Sequence, residues 1–333
     1  MRQYELDKAA VIGAGLTGGQ ITLVLALGSK EVVLMSRRQE TLNRALRDLR
    51  RYASELHGKS LLRGMDSEDV LARIRTTTST EEAAINAEFV VEAVTEDLNN
   101  KREVFAKLDR IAPLDAILAS NTSSLPITKI AEATQRPERV VGSHFVQPAH
   151  IVPIVEVVRG SKTSDRAVER SCEVWKSLDK IPIVVNVDLP GFLLNRLQHA
   201  LVREATALLA RGVASAEDID TAVTLGLAPR FTVSGPLEQR DINGLAMHVR
   251  VASYLWNELD GWEVPLAYLQ AKVGLGELGL DAGRGYYDWT GLDPGRVRGE
   301  RDEALIERTR QTLETLRDRA TRPRSLRSQQ VLK

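Results

Sequence analysis

The glycine-rich segment GAGLTG is the feature that most restricts the fold of this chain. It follows the apolar segment KAAVI (residues 8–12) and precedes a segment with an apolar helical face. In this spacing Gly13 permits a tight turn, Gly15 lets a pyrophosphate approach the backbone, and Gly18 brings the helix against the strand. By itself the motif can be no more than a tight turn. Between a strand and a helix it predicts a dinucleotide-binding βαβ unit, with the phosphates at the positively polarised helix N-terminus.

Short apolar segments alternate with amphipathic ones through the first half of the chain. The predicted strands are residues 8–12, 31–36, 87–93, 116–120, 139–145, 154–158 and 182–187. Helical patterns separate most of them, as in KREVFAKLDRIA (residues 101–112). Strands rich in Val and Ile that alternate with helices predict a mostly parallel sheet covered on both faces. The fold class is therefore α/β, with a doubly wound Rossmann-type domain.

The pattern becomes helical after DLPGF (residues 188–192). LNRLQHALVREATALLARG predicts one long amphipathic helix that ends at Gly212, and SAED predicts a capping box of Ser215 and Asp218 at the start of the next. We expect loops at GLAPRFTVSGP and at GLGELGLDAGRGYYDW, and a further helix at EALIERTRQTLETLRDRA. The expected divisions are a dinucleotide-binding domain at 1–187, an all-helical domain at 188–290, and a helical extension with a fraying basic tail at 291–333.

Length and charge limit the classes of protein. At 333 residues the chain is long for one core and predicts two domains. Lys plus Arg and Asp plus Glu number 45 each, so no charge excess favours nucleic acid or a charged membrane surface. The single cysteine, Cys172, excludes an internal disulfide and a multi-cysteine metal site, and no metal is predicted. Because the sequence also has no signal peptide and no bilayer-length apolar segment, we expect a cytoplasmic protein without membrane partners.

The end of the second strand bears on the choice of cofactor. A carboxylate there binds the adenosine ribose hydroxyls of NAD and repels a 2′-phosphate. This chain instead has Ser36 followed by Arg37 and Arg38, and hydroxyl and guanidinium groups can bind a phosphate. The sequence therefore favours NADP(H) over NAD(H). The alternative is that the arginines are only the solvated start of a helix.

The segment GSHFVQPAHIVPIVEVVRG (residues 142–160) places His144, His150 and Glu156 among residues typical of buried strands. Each of them alone can be structural. The other segments that recur in order are VIGAGLTG, VVEAVTEDLNNK, SNTSSLPIT, DLPGFLLNR and GRGYYDW. With these motifs the chain resembles the L-3-hydroxyacyl-CoA dehydrogenase family over nearly its full length, excluding the C-terminal extension. The resemblance implies a Rossmann-type domain and a helical domain that dimerises.

The resemblance implies that His144 is the catalytic histidine and Glu156 its partner carboxylate, whereas His150 matches no catalytic position. Oxidation of a secondary alcohol requires hydride transfer to nicotinamide and removal of the hydroxyl proton. A histidine that titrates near neutrality suits the proton transfer. A carboxylate on its other ring nitrogen fixes the tautomer and stabilises the imidazolium.

Four further positions are carried over from the family. Ser123 matches the serine that hydrogen-bonds the substrate oxygen, and Asn195 matches the asparagine that reaches over from the helical domain. Glu96 and Lys101 match positions near the nicotinamide ribose. The structural alternative for Ser123 is a helix cap, and for Asn195 it is an ordinary polar position on a helix.

Three departures from the family pattern bear on the substrate and cofactor. Gln147 replaces the usual asparagine, the acidic ribose-binding residue is missing, and Pro153 stands where many thioester-using members have lysine. Pro153 is similar to relatives that act on free hydroxy acids such as carnitine or gulonate. The predicted substrate is therefore an L-3-hydroxyacyl-CoA or a related 3-hydroxy or 3-keto acid.

Two alternatives to that function stay open. One is a dehydrogenase of a small non-CoA hydroxy acid or alcohol, and the other is a non-catalytic NAD(P)-binding protein. For the assembly we predict a homodimer, because the long helix of the second domain offers more apolar surface than one layer needs. The residues that form this surface are Leu197, Leu201, Leu208 and Leu209.

Overall fold

The computed structural model describes residues 6–261 and 263–320 of the chain. They group into two compact units that divide between Arg196 and Leu197. The domain boundaries expected from the sequence, after residues 187 and 290, stay predictions. The predicted basic tail at 321–333 lies outside the described residues.

The first unit is built on an eight-stranded sheet. Its strands are β1 (Leu6–Ile12), β2 (Ser29–Met35), β3 (Ile74–Thr77), β4 (Phe89–Glu92), β5 (Ile117–Ser120), β6 (Val140–Phe145), β7 (Ile154–Val158) and β8 (Ile181–Val185). Their spatial order is β3-β2-β1-β4-β5-β6-β7-β8. Neighbouring strands are parallel except β6 and β7, which pair antiparallel. The strand order reverses between β1 and β4, which is where open α/β sheets bind ligands.

Strand β3 was missing from the sequence prediction. It contains only IRTT, and of its residues only Thr77 is buried. A four-residue strand at the sheet edge has neither an apolar run nor a buried face that would mark it in the sequence. The mostly parallel sheet itself is confirmed.

Helices cover both faces of this sheet. They are α1 (Leu16–Ala26), α2 (Gln39–Gly58), α3 (Ser67–Ala72), α4 (Thr80–Ala84), α5 (Leu98–Ile111), α6 (Ile127–Ala131) and α7 (Asp165–Ser177). One core layer contains Ile21, Leu49 and Trp175, from α1, α2 and α7. The other contains Phe105 and Ile127, from α5 and α6. The unit is therefore doubly wound, as predicted.

The second unit is helical. Its helices are α8 (Leu194–Ala210), which begins in the first unit, α9 (Ala216–Thr221), α10 (Ala228–Val233), α11 (Pro236–Asn243), α12 (Leu245–Leu255), α13 (Glu263–Gly274) and α14 (Pro294–Ala320). Past the end of α8, Gly212 has a φ of +67°, and the Ser215 hydroxyl caps α9 by accepting the N–H of Asp218. Both ends were predicted from the sequence.

The loop predicted at GLAPRFTVSGP is wrong. A π-helical turn (Ala222–Leu227) continues α9, and α10 follows it directly. Pro229 lies in the first turn of α10, where a missing N–H costs no helical hydrogen bond. Glycine, proline and serine therefore indicated a loop where the chain is helical. In the two described ranges, no helix combines the length and the apolar character that crossing a bilayer demands.

Candidate active site

The glycine turn between β1 and α1 forms a backbone cradle. Gly13 has a φ of +117°, and a Cβ there would lie 2.4 Å from the carbonyl oxygen of Ala93. A Cβ at Gly18 would lie 1.8 Å from the carbonyl oxygen of Gly13, so α1 can pack this closely only with glycine. A Cβ at Gly15 would meet no protein atom within 4 Å, and Gly15 caps α1 without a side chain. This open space at a helix N-terminus fits a pyrophosphate.

A cavity of about 390 Å³ extends from this turn to the end of β2. Gly13, Gly15, Ser36 and Arg37 line it, as sequence reasoning required of a cofactor site. The half-buried Ser36 hydroxyl accepts the N–H of Arg38 at 3.5 Å. Arg37 is exposed and, within the described ranges, forms no ion pair or hydrogen bond. Its guanidinium is therefore available to a ligand.

Lys107 also lines this cavity, and sequence reasoning missed it. It lies on α5, which the sequence marked only as an amphipathic helix. The sequence near Lys107 does not indicate that the exposed face of α5 lies beside the end of β2. Asn100 and Glu103 of the same helix line the cavity too, so charged groups of both signs line it.

His144 and Glu156 form a buried pair. They are direct cross-strand partners on β6 and β7, and 2.6 Å separates His144 Nδ1 from Glu156 Oε2. His144 is 4% exposed and Glu156 is fully buried. The other carboxylate oxygen, Oε1, accepts the backbone N–H groups of Leu193 and Leu194 at 2.9 Å each, at the N-terminus of α8. Both carboxylate oxygens are thus occupied by donors.

This environment keeps Glu156 ionised. Burial opposes ionisation, but hydrogen bonds from His144, Leu194 and Leu193 outweigh it, so the pKa of Glu156 lies below its ordinary value. An ionised Glu156 accepts the Nδ1–H of His144 and therefore fixes the ring tautomer. His144 Nε2 is left as the nitrogen that can take up a proton.

Ser123 and Asn195 lie together in the first unit. Ser123 belongs to the turn after β5, and its carbonyl oxygen accepts a hydrogen bond from Asn195 Nδ2 at 2.9 Å. The Ser123 side chain is exposed, and its hydroxyl bonds to no residue in the described part of the chain. Asn195 follows Leu194 directly, so one short segment contacts both Glu156 and the Ser123 turn.

Glu96 holds the Ser123 turn from the other side. Its Oε1 accepts the Thr122 hydroxyl at 2.6 Å and the backbone N–H groups of Ser123 and Ser124 at 2.9 and 3.1 Å. Burial raises the pKa of Glu96, but Thr122, Lys101 and the Ser123 N–H together lower it below its usual value. Glu96 is therefore ionised and organises the turn.

Lys101 is fully buried behind Glu96. Its Nζ lies 2.8 Å from Glu92 Oε1 and 3.3 Å from Glu96 Oε2. Glu92 Oε2 accepts the Ser120 hydroxyl at 2.7 Å. Lys101 thus supports Glu96, and its direct contact with a cofactor stays a prediction. Sequence reasoning missed Glu92 and Ser120, although a glutamate within the apolar strand VVEA gives the same indication that singled out Glu156.

His150 is a structural residue in this fold. It is 8% exposed and packs on the Tyr52 ring with centroids 4.4 Å apart. Burial, with smaller contributions from Lys180 and Arg51, lowers its pKa to about 3. Gln147, which replaces the family's asparagine, donates its amide N–H to the hydroxyl of Thr17 at the start of α1.

Comparison with known proteins identifies the chain's relatives. The model of the 3-hydroxyacyl-CoA dehydrogenase NAD binding domain matches residues 8–188, and that of the C-terminal domain matches residues 191–289. The chain belongs to the 3-hydroxyacyl-CoA dehydrogenase family. It is accordingly an oxidoreductase with a nicotinamide-cofactor domain.

Two curated relatives differ in their substrates. A 5-formyl-3-hydroxy-2-methylpyridine 4-carboxylate 5-dehydrogenase of Mesorhizobium japonicum is 32% identical, over 89% of this chain and 95% of its own length. A 3-hydroxybutyryl-CoA dehydrogenase of Clostridioides difficile is 35% identical, over 85% of this chain and 99% of its own length. The family thus includes enzymes named for CoA thioesters and for a free acid.

Two solved structures repeat this contrast. A 5-formyl-3-hydroxy-2-methylpyridine 4-carboxylic acid 5-dehydrogenase, an NAD⁺-dependent dismutase, superposes with a TM-score of 0.85 at 31% identity, covering 92% of this chain and 98% of its own. An (S)-3-hydroxybutyryl-CoA dehydrogenase of Ralstonia eutropha gives 0.70 at 31% identity, covering 86% and 100%.

Proposed function

We propose that this enzyme interconverts the hydroxyl and keto forms at C3 of an L-3-hydroxyacyl-CoA or a related 3-hydroxy acid. The observation that carries this proposal is the buried His144–Glu156 pair, with Nδ1 and Oε2 at 2.6 Å. Binding a cofactor without catalysis does not require a histidine that is paired with a buried carboxylate. The pair stands in the same unit as the glycine cradle.

His144 Nε2 takes the proton from the substrate hydroxyl during oxidation and returns it during reduction. Glu156 stabilises the imidazolium that forms, and the backbone N–H groups at α8 hold Glu156 in place. When bound, a nicotinamide cofactor would accept the hydride from C3 in oxidation and donate it to C3 in reduction. Ser123 donates a hydrogen bond to the reacting oxygen, and Asn195 orientates the segment beside it.

The glycine cradle and the Glu96 cluster are the groups that fit the cofactor. Gly13, Gly15 and Gly18 would hold the pyrophosphate, and Glu96, supported by Lys101, would bind the nicotinamide ribose. We propose NADP(H) as the preferred form, because Ser36, Arg37 and Lys107 line one cavity and Arg37 is unpaired within the described ranges. The pyridine carboxylate relative is NAD⁺-dependent, so this preference would set the chain apart from it.

A second candidate keeps the chemistry and changes the substrate to a small acid without CoA. The TM-score of 0.85 with the pyridine carboxylate dehydrogenase, against 0.70 with the CoA enzyme, favours it. Pro153, in place of the lysine of many thioester-using members, favours it too.

One steady-state screen tests both substrates and both cofactors. NADH and NADPH oxidation would be followed with acetoacetyl-CoA and with several free 3-keto acids. Turnover with acetoacetyl-CoA alone supports a CoA thioester as the substrate, and turnover with free 3-keto acids alone supports an acid without CoA. No turnover with any pair would contradict the proposed function.

We also propose that the enzyme is a homodimer built through its helical unit. Leu197 and Leu201 of α8 are 57% and 42% exposed, whereas Leu208 and Leu209 are partly buried within their own unit. Val249 of α12, in the same unit, is also 64% exposed. A second copy of the same face is the partner we infer for it.

A further inference from the structure

The loop of residues 146–153 joins the two strands of the proposed proton-transfer pair. It leaves β6 two residues after His144 and enters β7 two residues before Glu156. Within it, the N–H groups of Ile151 and Val152 both donate to the carbonyl oxygen of Pro148, at 3.0 and 2.9 Å. This single helical turn leaves later carbonyl groups without intrahelical partners. The groups that donate to those carbonyls therefore hold the loop in its conformation.

Lys180, directly before β8, binds two of them. Its Nζ donates to the carbonyl oxygens of Ala149 and Val152 at 2.8 and 2.9 Å, and its side chain is buried. Within the described ranges no carboxylate pairs with it, since the adjacent Asp179 pairs with Arg63 at 3.2 Å. Burial lowers the pKa of Lys180 to about 7, with Asp179 opposing. A neutral amine has two N–H donors, so both carbonyls can be satisfied in either protonation state.

The same loop is tied to α1, the helix that follows the glycine turn. Gln20 of α1 is 3% exposed, and its Oε1 accepts the backbone N–H of Ala149 at 2.8 Å. Gln147 donates to Thr17 at the start of that helix. The carbonyl oxygen of Pro153 accepts the N–H of Ile181 at 2.7 Å. The loop is therefore held between α1 and β8, with the buried Lys180 side chain as its anchor.

We propose that Lys180 is a positioning residue for the reaction. It holds the β6–β7 loop in place and thereby keeps His144 and Glu156 in the positions that proton transfer requires. The inference rests on the proposed function of the pair. Without the Lys180 side-chain nitrogen, the carbonyls of Ala149 and Val152 lose their donor in a buried site, and the loop shifts to regain one. A small shift of a catalytic pair lowers turnover much more than it lowers cofactor binding.

The test compares Lys180→Met, which preserves length but removes the donor, with Lys180→Gln, which restores part of it. Lys176→Met is the matched control, because Lys176 is an exposed lysine at the end of α7. We expect Lys180→Met to lower kcat by roughly tenfold to a hundredfold. The Kd of the reduced cofactor, measured by its fluorescence, should stay unchanged. Lys180→Gln should recover part of kcat, and Lys176→Met should match the wild type.

The outcomes separate the two proposals. Wild-type turnover in Lys180→Met would overturn the positioning role. A parallel loss of kcat and cofactor affinity, or failure of both Lys180 variants to fold, would make Lys180 purely structural and also overturn it. If the wild type itself turns over no substrate in the screen above, the proposed function fails instead.

Discussion

The two units of this protein bury their apolar side chains to very different degrees. Of the buried hydrophobic residues in the described part of the chain, only Ala207 and Ile306 belong to the second unit. In that unit Leu237 is 82% exposed and Leu275 is 77% exposed. A sheet covered on both faces completes its own core, whereas thin layers of amphipathic helices do not. The first unit therefore completes its own apolar core, whereas the second leaves large apolar side chains exposed.

The largest expected effect tests whether the first unit holds the complete proton-transfer chemistry. His144→Ala should lower kcat by roughly 100-fold to 10,000-fold, because it removes the proposed general base. Cofactor affinity should persist, since the glycine cradle is separate from β6. His57→Ala, at an exposed position in the last turn of α2, is the control. Near-normal turnover in His144→Ala would contradict the mechanism.

The next effect concerns the cofactor cavity of the same unit. NADPH should be preferred to NADH by about tenfold to a hundredfold, because each charge-assisted bond to the 2′-phosphate contributes roughly 1.5 to 3 kcal/mol. Ser36→Asp with Arg37→Gln should move the preference toward NADH, because the new carboxylate repels the phosphate.

The control for that experiment is Arg38→Gln, since Arg38 does not line the cavity. The measurement is the ratio of kcat/KM values for the two cofactors. If the wild type prefers NADH, or if the double variant has the same ratio as the wild type, the arginines are only the solvated start of a helix.

A single charged substitution tests whether the exposed apolar surface of the second unit is an interface. Leu197→Glu should convert the proposed dimer to a monomer in sedimentation at micromolar concentration, because an unpaired carboxylate in an apolar interface is costly to bury. Leu114→Glu is the matched control in the first unit, where Leu114 is 78% exposed. Dissociation by both changes, or a monomeric wild type, would contradict an interface confined to the helical unit.

The smallest effect is on stability at alkaline pH, where two lysines should behave in opposite ways. The pKa of Lys180 is lowered to about 7 by burial, whereas a hydrogen bond to Glu277 raises the pKa of Lys272. Between about pH 7 and about 10.4 the unfolded chain binds more protons at Lys180, so its contribution to stability increases with pH. Lys272 contributes its full stabilisation below the pKa that it has in the unfolded chain. That stabilisation is lost only as the pH rises through its higher pKa in the folded protein.

The measurement is the difference in Tm between the wild type and each methionine variant, from pH 7 to pH 10. As the pH rises, the Tm of the wild type should increase steadily relative to the Tm of Lys180→Met. For Lys272→Met it should stay level. A level difference for Lys180→Met would mean that this lysine titrates normally in the folded protein.

Local sequence pattern determined the parts of the fold that need only near neighbours. The glycine turn after β1, the Val-rich strands, the end of α8 and the Ser215 cap all follow from periodicity and from backbone preferences within a few residues. The candidate site residues were singled out because His144 and Glu156 are polar groups in apolar strands and because ordered motifs surround them.

Tertiary structure decided which of these residues meet. The antiparallel pairing of β6 with β7 sets His144 opposite Glu156, and the start of α8 brings two N–H groups to the same carboxylate. Lys107 joins Arg37, and Lys180 reaches the loop, only because distant elements pack together. Such contacts depend on the register and packing of segments far apart in sequence, which local preference does not encode. The sequence therefore named the candidate reacting groups and Glu156 as the partner of His144. Only packing showed that Lys107 lines the cavity, that Lys180 contacts the loop between the two strands, and that the start of α8 contacts Glu156.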